Sequence, residues 1–470
     1  MKAVGIILAF IMQLTIIQAQ IVFKSINEVW EYSLSNNPEN IMYQLQVEKA
    51  KQDKKTANSY LFPKAGVNFS GQKNIEIPET PVPGELIGMP GQTVYMKFGQ
   101  NYSYNSGITV SKTLFDWQSK AQAKIAKLNV LLTEAQKDYF EQTLKEQVAQ
   151  VYYAVLTSNQ AVKISQKDFE LADSLYLLAK KRFEQSLTDK LVLNQAKINR
   201  NKVFEKLEQN KSYQSQWHYN LKLLLGLTAT DTLLLVEDIF AKPKQEKWDN
   251  TIATNEDYIN IFKWQSEIAR SESKKALARF TPKIDVAYYL GTFQYQNDFT
   301  LSLNSADWKP NSYLGLSVTI PVFTGFANKT QYSAAKISGQ IARQKLHDET
   351  RKASINDSIL LLNYNTSEKL MLLGSENFQV SGNSVELASQ KYAQGIIGLD
   401  EYLKAFDDYL NFQNQYFNSL SDYLINKAIL ETRKNNNHEK EIHSILHPWN
   451  NHFNRLQPTG RSATTTQGHC

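Results

Sequence analysis

The chain has 470 residues, with 52 Lys and Arg against 46 Asp and Glu, a net charge of +6, and one cysteine, Cys470, at its last position. So slight a charge, with Lys and Arg interleaved among Glu, Asp and Gln, argues against a nucleic-acid surface. A lone cysteine excludes internal disulfides and cysteine-ligated metal centres, and the length leaves room for two or three ordinary domains. At the N-terminus Met1-Lys2 is positive, Val4 to Ile17 is almost wholly apolar, and Gln18-Ala19-Gln20 resembles a cleavage site. Residues 1–19 therefore predict a signal peptide. No cysteine follows it, so no N-terminal lipid anchor is expected. Beyond residue 20 nothing approaches the roughly 18 apolar residues of a transmembrane helix.

Residues 26–57 read as a charged amphipathic helix broken at Asn37-Pro38 and ended before Pro63. There the period changes to two: Ala65, Val67 and Phe69 alternate with Gly66, Asn68 and Ser70, as in a strand with unlike faces. The proline-rich stretch within 75–97 reads as a loop. Alternation resumes with Tyr102, Tyr104, Ile108 and Val110, giving a strand hairpin over 63–115. From Trp117 to Phe183 there is neither proline nor glycine, and apolar residues step by three and four through Leu128, Leu132, Ala135, Tyr139, then Leu144, Val148, Val151, Val155, then Leu171, Leu175, Leu178. At ~1.5 Å per residue such a helix is on the order of 100 Å long. It turns near Ser186 and Asp189 and returns to about residue 226.

The second half repeats the plan. A helix over about 254–278 precedes a strand hairpin over 282–323, with Ile284, Val286, Tyr288 and Leu290 on one face of its first strand and Leu314, Leu316, Val318 and Ile320 on one face of its second. A long helix over 326–393 and a returning helix over 399–432 follow, the latter with an aromatic seam of Tyr402, Phe406, Tyr409, Tyr416, Leu420 and Tyr423. Three landmarks match at shifts of 219, 208 and 209 residues: Pro63 with Pro282, Gly107 with Gly315, and Ala179 with Ala388. The chain thus divides into a first repeat, 20–235, a second, 236–432, and a polar tail, 433–470, expected to be disordered. The tail holds five of the seven histidines, but its HEKEIH lacks the HExxH spacing of a zinc site, and neither metal nor cofactor nor catalytic residues are expected.

Four strands long enough to cross a bilayer cannot close a barrel alone, since the smallest has about eight strands. Unpaired strand edges cannot face lipid. The barrel must then be shared between chains, with cyclic symmetry. Phe115, Trp117, Phe323 and Phe326, at the passages from strand to helix, suit a membrane-interface belt. A different class of protein, an exported coiled-coil scaffold or adhesin without a pore, remains the alternative.

These features resemble the TolC family of outer membrane factors over about residues 24–432. The family's hairpin signature, an aromatic residue followed by Gly three on, then a carboxylate and an Ala six and ten after that Gly, is met by Tyr392, Gly395, Glu401 and Ala405. Gly398 stands where the family has Ser or Thr. In the first copy Phe183 and Ala196 match, while Ser186 replaces Gly and Val192 replaces the carboxylate. Leu114-Phe115-Asp116 and Val322-Phe323-Thr324-Gly325 also match. The resemblance implies a mainly α fold, a long coiled-coil-like α-barrel carrying a membrane β-barrel of twelve strands that closes as a homotrimer. It implies an exit duct in the outer membrane with a tunnel through the periplasm, for an efflux pump or type I secretion system. The implied partners are outer membrane lipid, a periplasmic adaptor (membrane fusion) protein and, through it, an inner-membrane pump. The adaptor would dock at the hairpin tips: Phe183, Gln185, Ser186, Leu187 and Asp189, with Tyr392, Gln394, Gly395, Ile396 and Gly398. Gate carboxylates of the family, six and nine positions after the turn glycine, fall on Glu401 and on Lys404, with Asp400 adjacent; Lys404, three residues on, is expected to pair with Glu401.

Overall fold

Helices form where the sequence keeps a three-to-four period that no proline interrupts, and strands form where the period is two. The computed structural model describes residues 21–239 and 255–446. In order these hold β1 (Ile21–Phe23), α1 (Ile26–Asn36), α2 (Pro38–Ala57), β2 (Lys64–Lys73), β3 (Glu79–Pro83), β4 (Thr93–Lys97), β5 (Tyr102–Phe115), α3 (Trp117–Glu184), α4 (Lys190–Leu224), β6 (Leu233–Leu235), α5 (Glu256–Ala278), β7 (Lys283–Gln296), β8 (Lys309–Thr319), α6 (Ala327–Ala393) and α7 (Leu399–Leu446). The expected signal peptide and the tail from 447 onward, with Cys470, lie outside the described residues. The chain divides into two units, one comprising 1–43, 137–258 and 350–470, the other 44–136 and 259–349.

The second unit is built on a four-stranded antiparallel sheet of order β2-β5-β7-β8, so the strands of the two sequence halves pair through β5 and β7. Register places most Val, Ile and Leu residues of the four strands on one face. Val67, Ile108 and Leu290 form one row, Ala65, Val110, Tyr288 and Leu314 the next, and Lys112, Val286 and Leu316 the one after. The opposite face carries Gly66, Thr109, Tyr289 and Tyr313, and beside them Asn68, Gly107, Gly291 and Asn311. Tyr289 lies across the two glycines, where a Cβ at either would meet its ring, and its hydroxyl donates to Asn105 Oδ1. The region read as a loop, 75–97, contains the small hairpin β3-β4. Its prolines hid it: Pro81 and Pro83 cannot donate in a sheet interior, but a two-stranded ribbon has a free outer edge.

In the first unit β1 and β6 form a short parallel pair. Phe23, Val29 and Trp30 pack there with Leu144, Val148, Tyr152, Leu221, Leu225, Tyr364, Leu420 and Tyr423. The expected seam of α3 is buried at Leu144, Val148 and Val155. Nearer the turn the buried positions are Ala172, Leu175 and Ala179, while Leu171 and Leu178 are only half-buried. Small side chains there permit close helix approach. A second apolar stripe on α6, with Ile355, Ile359, Leu362, Leu373, Val380 and Leu387, stays exposed on the single chain.

The expected tail boundary at 433 is corrected. Helix α7 runs on to Leu446 because no proline or glycine occurs before Pro448. Arg433 belongs to the packed unit, with Nε 3.6 Å from Glu146 and Nη1 3.4 Å from Asp357. Burial raises the Glu146 carboxyl above the usual carboxylate range, against the pull of Arg433.

Candidate functional site

Two features are candidates: the helix-hairpin turns and the sheet with its aromatic junctions. At the first turn α3 ends with Ser186 N–H donating to Phe183 O (2.9 Å) and Leu187 N–H to Arg182 O (2.8 Å). At the second, Gly395 N–H donates to Tyr392 O (3.0 Å) and Ile396 N–H to Lys391 O (2.9 Å). Both satisfy the last helix carbonyls through a left-handed residue. That residue is Gly395 in one (φ 76) and Ser186 in the other (φ 58), where the side chain makes the conformation costly. Asp189 then caps α4, its carboxylate accepting from Val192 N–H at 2.9 Å. Gly398, in the matching place, offers no side-chain cap.

Phe183, Gln185, Ser186, Leu187, Asp189, Gln394, Gly395, Ile396 and Gly398 are all exposed at these turns. Tyr392, expected at the docking tip, is a correction: it is buried, its ring 6.0 Å from Tyr402 and within the cluster of Leu399, Tyr402 and Phe406. Arg182 joins the two hairpins. Its guanidinium lies 4.8 Å from the Tyr392 ring centroid and donates at 3.0 Å to the carbonyls of both Tyr392 and Ala393, capping α6 from the other hairpin. Of the gate candidates, Asp400, Glu401 and Lys404 are exposed. The expected Glu401–Lys404 pair is not formed within the chain, among the described residues. An exposed pair three residues apart gains too little to fix two long side chains.

At the junctions Phe115 continues the apolar row of Ile284 and Val318, and Trp117 packs edge-on to it at 5.4 Å. Asp116 starts α3 at once, accepting from Gln118 N–H and the Ser119 hydroxyl. Phe323 and Phe326 meet at 5.5 Å beside Gly325, both Gly325 and Phe326 having positive φ. Among the described residues no helix is long and apolar enough to cross a membrane.

Residues 30–227 match the profile of the outer membrane efflux protein family. That stretch is similar to the outer membrane efflux proteins. The chain has the fold of solved outer membrane proteins. The Vibrio cholerae outer membrane protein VceC aligns at TM-score 0.70 and 16% identity over 87% of this chain and 95% of that one. The Campylobacter jejuni CmeC outer membrane channel aligns at 0.72 and 16% over 87% and 85%. The open state of the Neisseria gonorrhoeae MtrE outer membrane channel aligns at 0.67 and 16% over 87% and 88%. Among curated proteins none matches the sequence.

The efflux-protein signature did not point to two polar groups behind the second turn. Asp168, 4% exposed on α3, accepts from Gln413 Nε2 of α7 at 3.1 Å. Burial pushes its carboxyl up to about 6. Below it the Tyr402 hydroxyl is buried without a hydrogen-bond partner. Asp168 sits between Phe169 and Lys167 in a helix full of charges, so only its burial distinguishes it from a solvated neighbour.

Proposed function

We propose that three copies of this chain form an outer membrane exit duct that passively conducts substrate from a periplasmic pump assembly, of efflux or type I secretion type, to the exterior. One observation carries the reading. A four-stranded sheet with β2 and β8 as bare edges exposes a continuous apolar face, with Val67 80%, Leu314 75% and Leu316 68% exposed. Strands of 10 to 14 residues are long enough to span a bilayer, which needs about 9–11. Bare edges are intolerable in lipid, so β2 of one copy pairs with β8 of the next. Three copies close twelve strands, and the exposed stripe of α6 packs on a neighbouring copy. The face with Tyr289 and Tyr313 lines the lumen.

In this reading Phe115, Trp117, Phe323 and Phe326 lie at the inner interface of the outer membrane. The loops 75–97 and 296–311 face the exterior. The two turns face the periplasm, where Phe183, Leu187, Gln394 and Ile396 present a surface for an adaptor protein, through which the inner-membrane pump is engaged. Asp400, Glu401 and Lys404, repeated about the three-fold axis, ring the tunnel entrance, where six carboxylates against three lysines favour cations. The duct does no catalysis.

The test combines topology with conduction. Cysteines placed at Glu79 and Asn304 should label in intact cells with an impermeant reagent, and one at Thr188 should not. Purified protein should give discrete single-channel steps in planar bilayers. Labelling at Thr188 alone would reverse the orientation, and absence of any conductance from inserted protein would favour the poreless scaffold.

A further inference from the structure

Beside the aromatic junction of β5 and α3 is a pocket of about 410 Å³ between the first turns of α3 and the last turns of α5. Trp117, Leu277 and Ala278 form an apolar wall, and Lys120, Lys124 and Lys274 stand around it. All three lysines are exposed, and the Lys120 ammonium lies 4.5 Å from the Trp117 ring centroid. The neighbouring carboxylates are already engaged. Asp116 caps α3, Glu272 pairs with Lys275 at 3.4 Å, Glu267 pairs with Arg270 at 3.6 Å, and Asp285 pairs with Lys283 at 3.0 Å. Three exposed ammonium groups thus line one pocket with no salt-bridge partner among the described residues.

The apolar wall is continuous with the sheet. Trp117 packs on Phe115, and Phe115 shares a row with Ile284 and Val318 on the exposed apolar face. We propose that this pocket binds the headgroup phosphate of an anionic phospholipid, with the acyl chains lying along that face. A free phosphate would satisfy the lysines but leave Trp117 and Leu277 facing water. A lipid uses both, with the cationic rim and the aromatic residue at the level where headgroup meets hydrocarbon. The proposal rests on the reading of the sheet as membrane-embedded. It adds a lipid class and the side chains that select it.

The probe is phosphatidylglycerol, compared with phosphatidylcholine, on the full-length protein in detergent by native mass spectrometry. Wild-type protein should retain phosphatidylglycerol roughly tenfold or more over phosphatidylcholine, since each lysine near an anionic headgroup contributes several-fold in affinity. K120Q/K124Q/K274Q should abolish that preference, while K51Q/K55Q, on exposed lysines of α2, should keep it. If the triple variant fails to assemble, the single substitutions serve, each reducing retention about two- to fivefold. Equal retention of the two lipids, or an unchanged preference in the lysine variants, overturns the proposal. Displacement by millimolar inorganic phosphate would mark a free-anion site and overturn the lipid assignment. Protein recovered folded from the soluble fraction would refute the membrane reading itself, whereas membrane-extracted protein without lipid preference would refute only this inference.

Discussion

Arg182 hydrogen-bonds the last carbonyls of α6 from the other hairpin, so Arg182→Gln should loosen the second turn before anything else changes. The guanidinium donates two hydrogen bonds of 3.0 Å and lies over the Tyr392 ring. Hydrogen bonds to charged groups contribute about 1.5–3 kcal/mol each when desolvated. Arg182 is only half-buried, and solvent screening cuts each to about 1 kcal/mol. The ring contact adds roughly 0.5–1 kcal/mol. The loss is about 2–3 kcal/mol, or roughly 30- to 150-fold in the local opening equilibrium. Hydrogen exchange on the assembled protein should show that acceleration at amides between 390 and 402, with residues near Tyr152 unchanged. Arg182→Lys should restore part of the protection. Unchanged exchange in Arg182→Gln, with assembly intact, would show that the contact does not hold the turn.

Other consequences follow from single residues. Ser186→Gly should stabilise the first turn by about 0.5–1 kcal/mol by relieving a left-handed serine, and Gly395→Ala should cost about 1 kcal/mol at the second, both read as shifts in local exchange. A chain ended after Thr432 should lose stability relative to one ended after Arg433, by about 2–3 kcal/mol, because Glu146 and Asp357 are left without their cation; equal melting temperatures would refute this. Asp168 binds its proton more tightly folded than unfolded, its carboxyl at about 6 against an ordinary value of 3.8. Stability therefore rises as pH falls from about 7 towards 4, and Asp168→Asn should raise the melting temperature at pH 8 but not at pH 4. Lys404→Glu should raise single-channel conductance and cation preference; no change in either would place Glu401 and Lys404 off the conduction path.

Much of the fold was legible because long elements declare their period. The breaker-free run from Trp117 fixed α3, and the alternation at Ile108, Leu290 and Leu314 fixed the strands. Which strands pair was not legible, since β5 meeting β7 joins residues nearly two hundred positions apart and both have equally good faces. Short elements were lost for local reasons. Strand β6 has only three residues, and β3 carries prolines that normally disqualify a strand. Tyr392 was read as a surface aromatic because it adjoins the turn; its burial depends on Tyr402 and on Arg182, some 210 residues earlier. Arg433 looked like the start of a polar tail because its partners lie on two distant helices.

The account stands most directly on how many chains share one sheet. Detergent-extracted protein should have the mass of three chains and bound detergent by light scattering, and should run as a heat-modifiable trimer on mild SDS gels. Crosslinks between a cysteine on β2, at Asn68, and one on β8 should join different chains. A stable folded monomer in the soluble fraction, or such crosslinks only within one chain, would contradict a barrel closed by three copies.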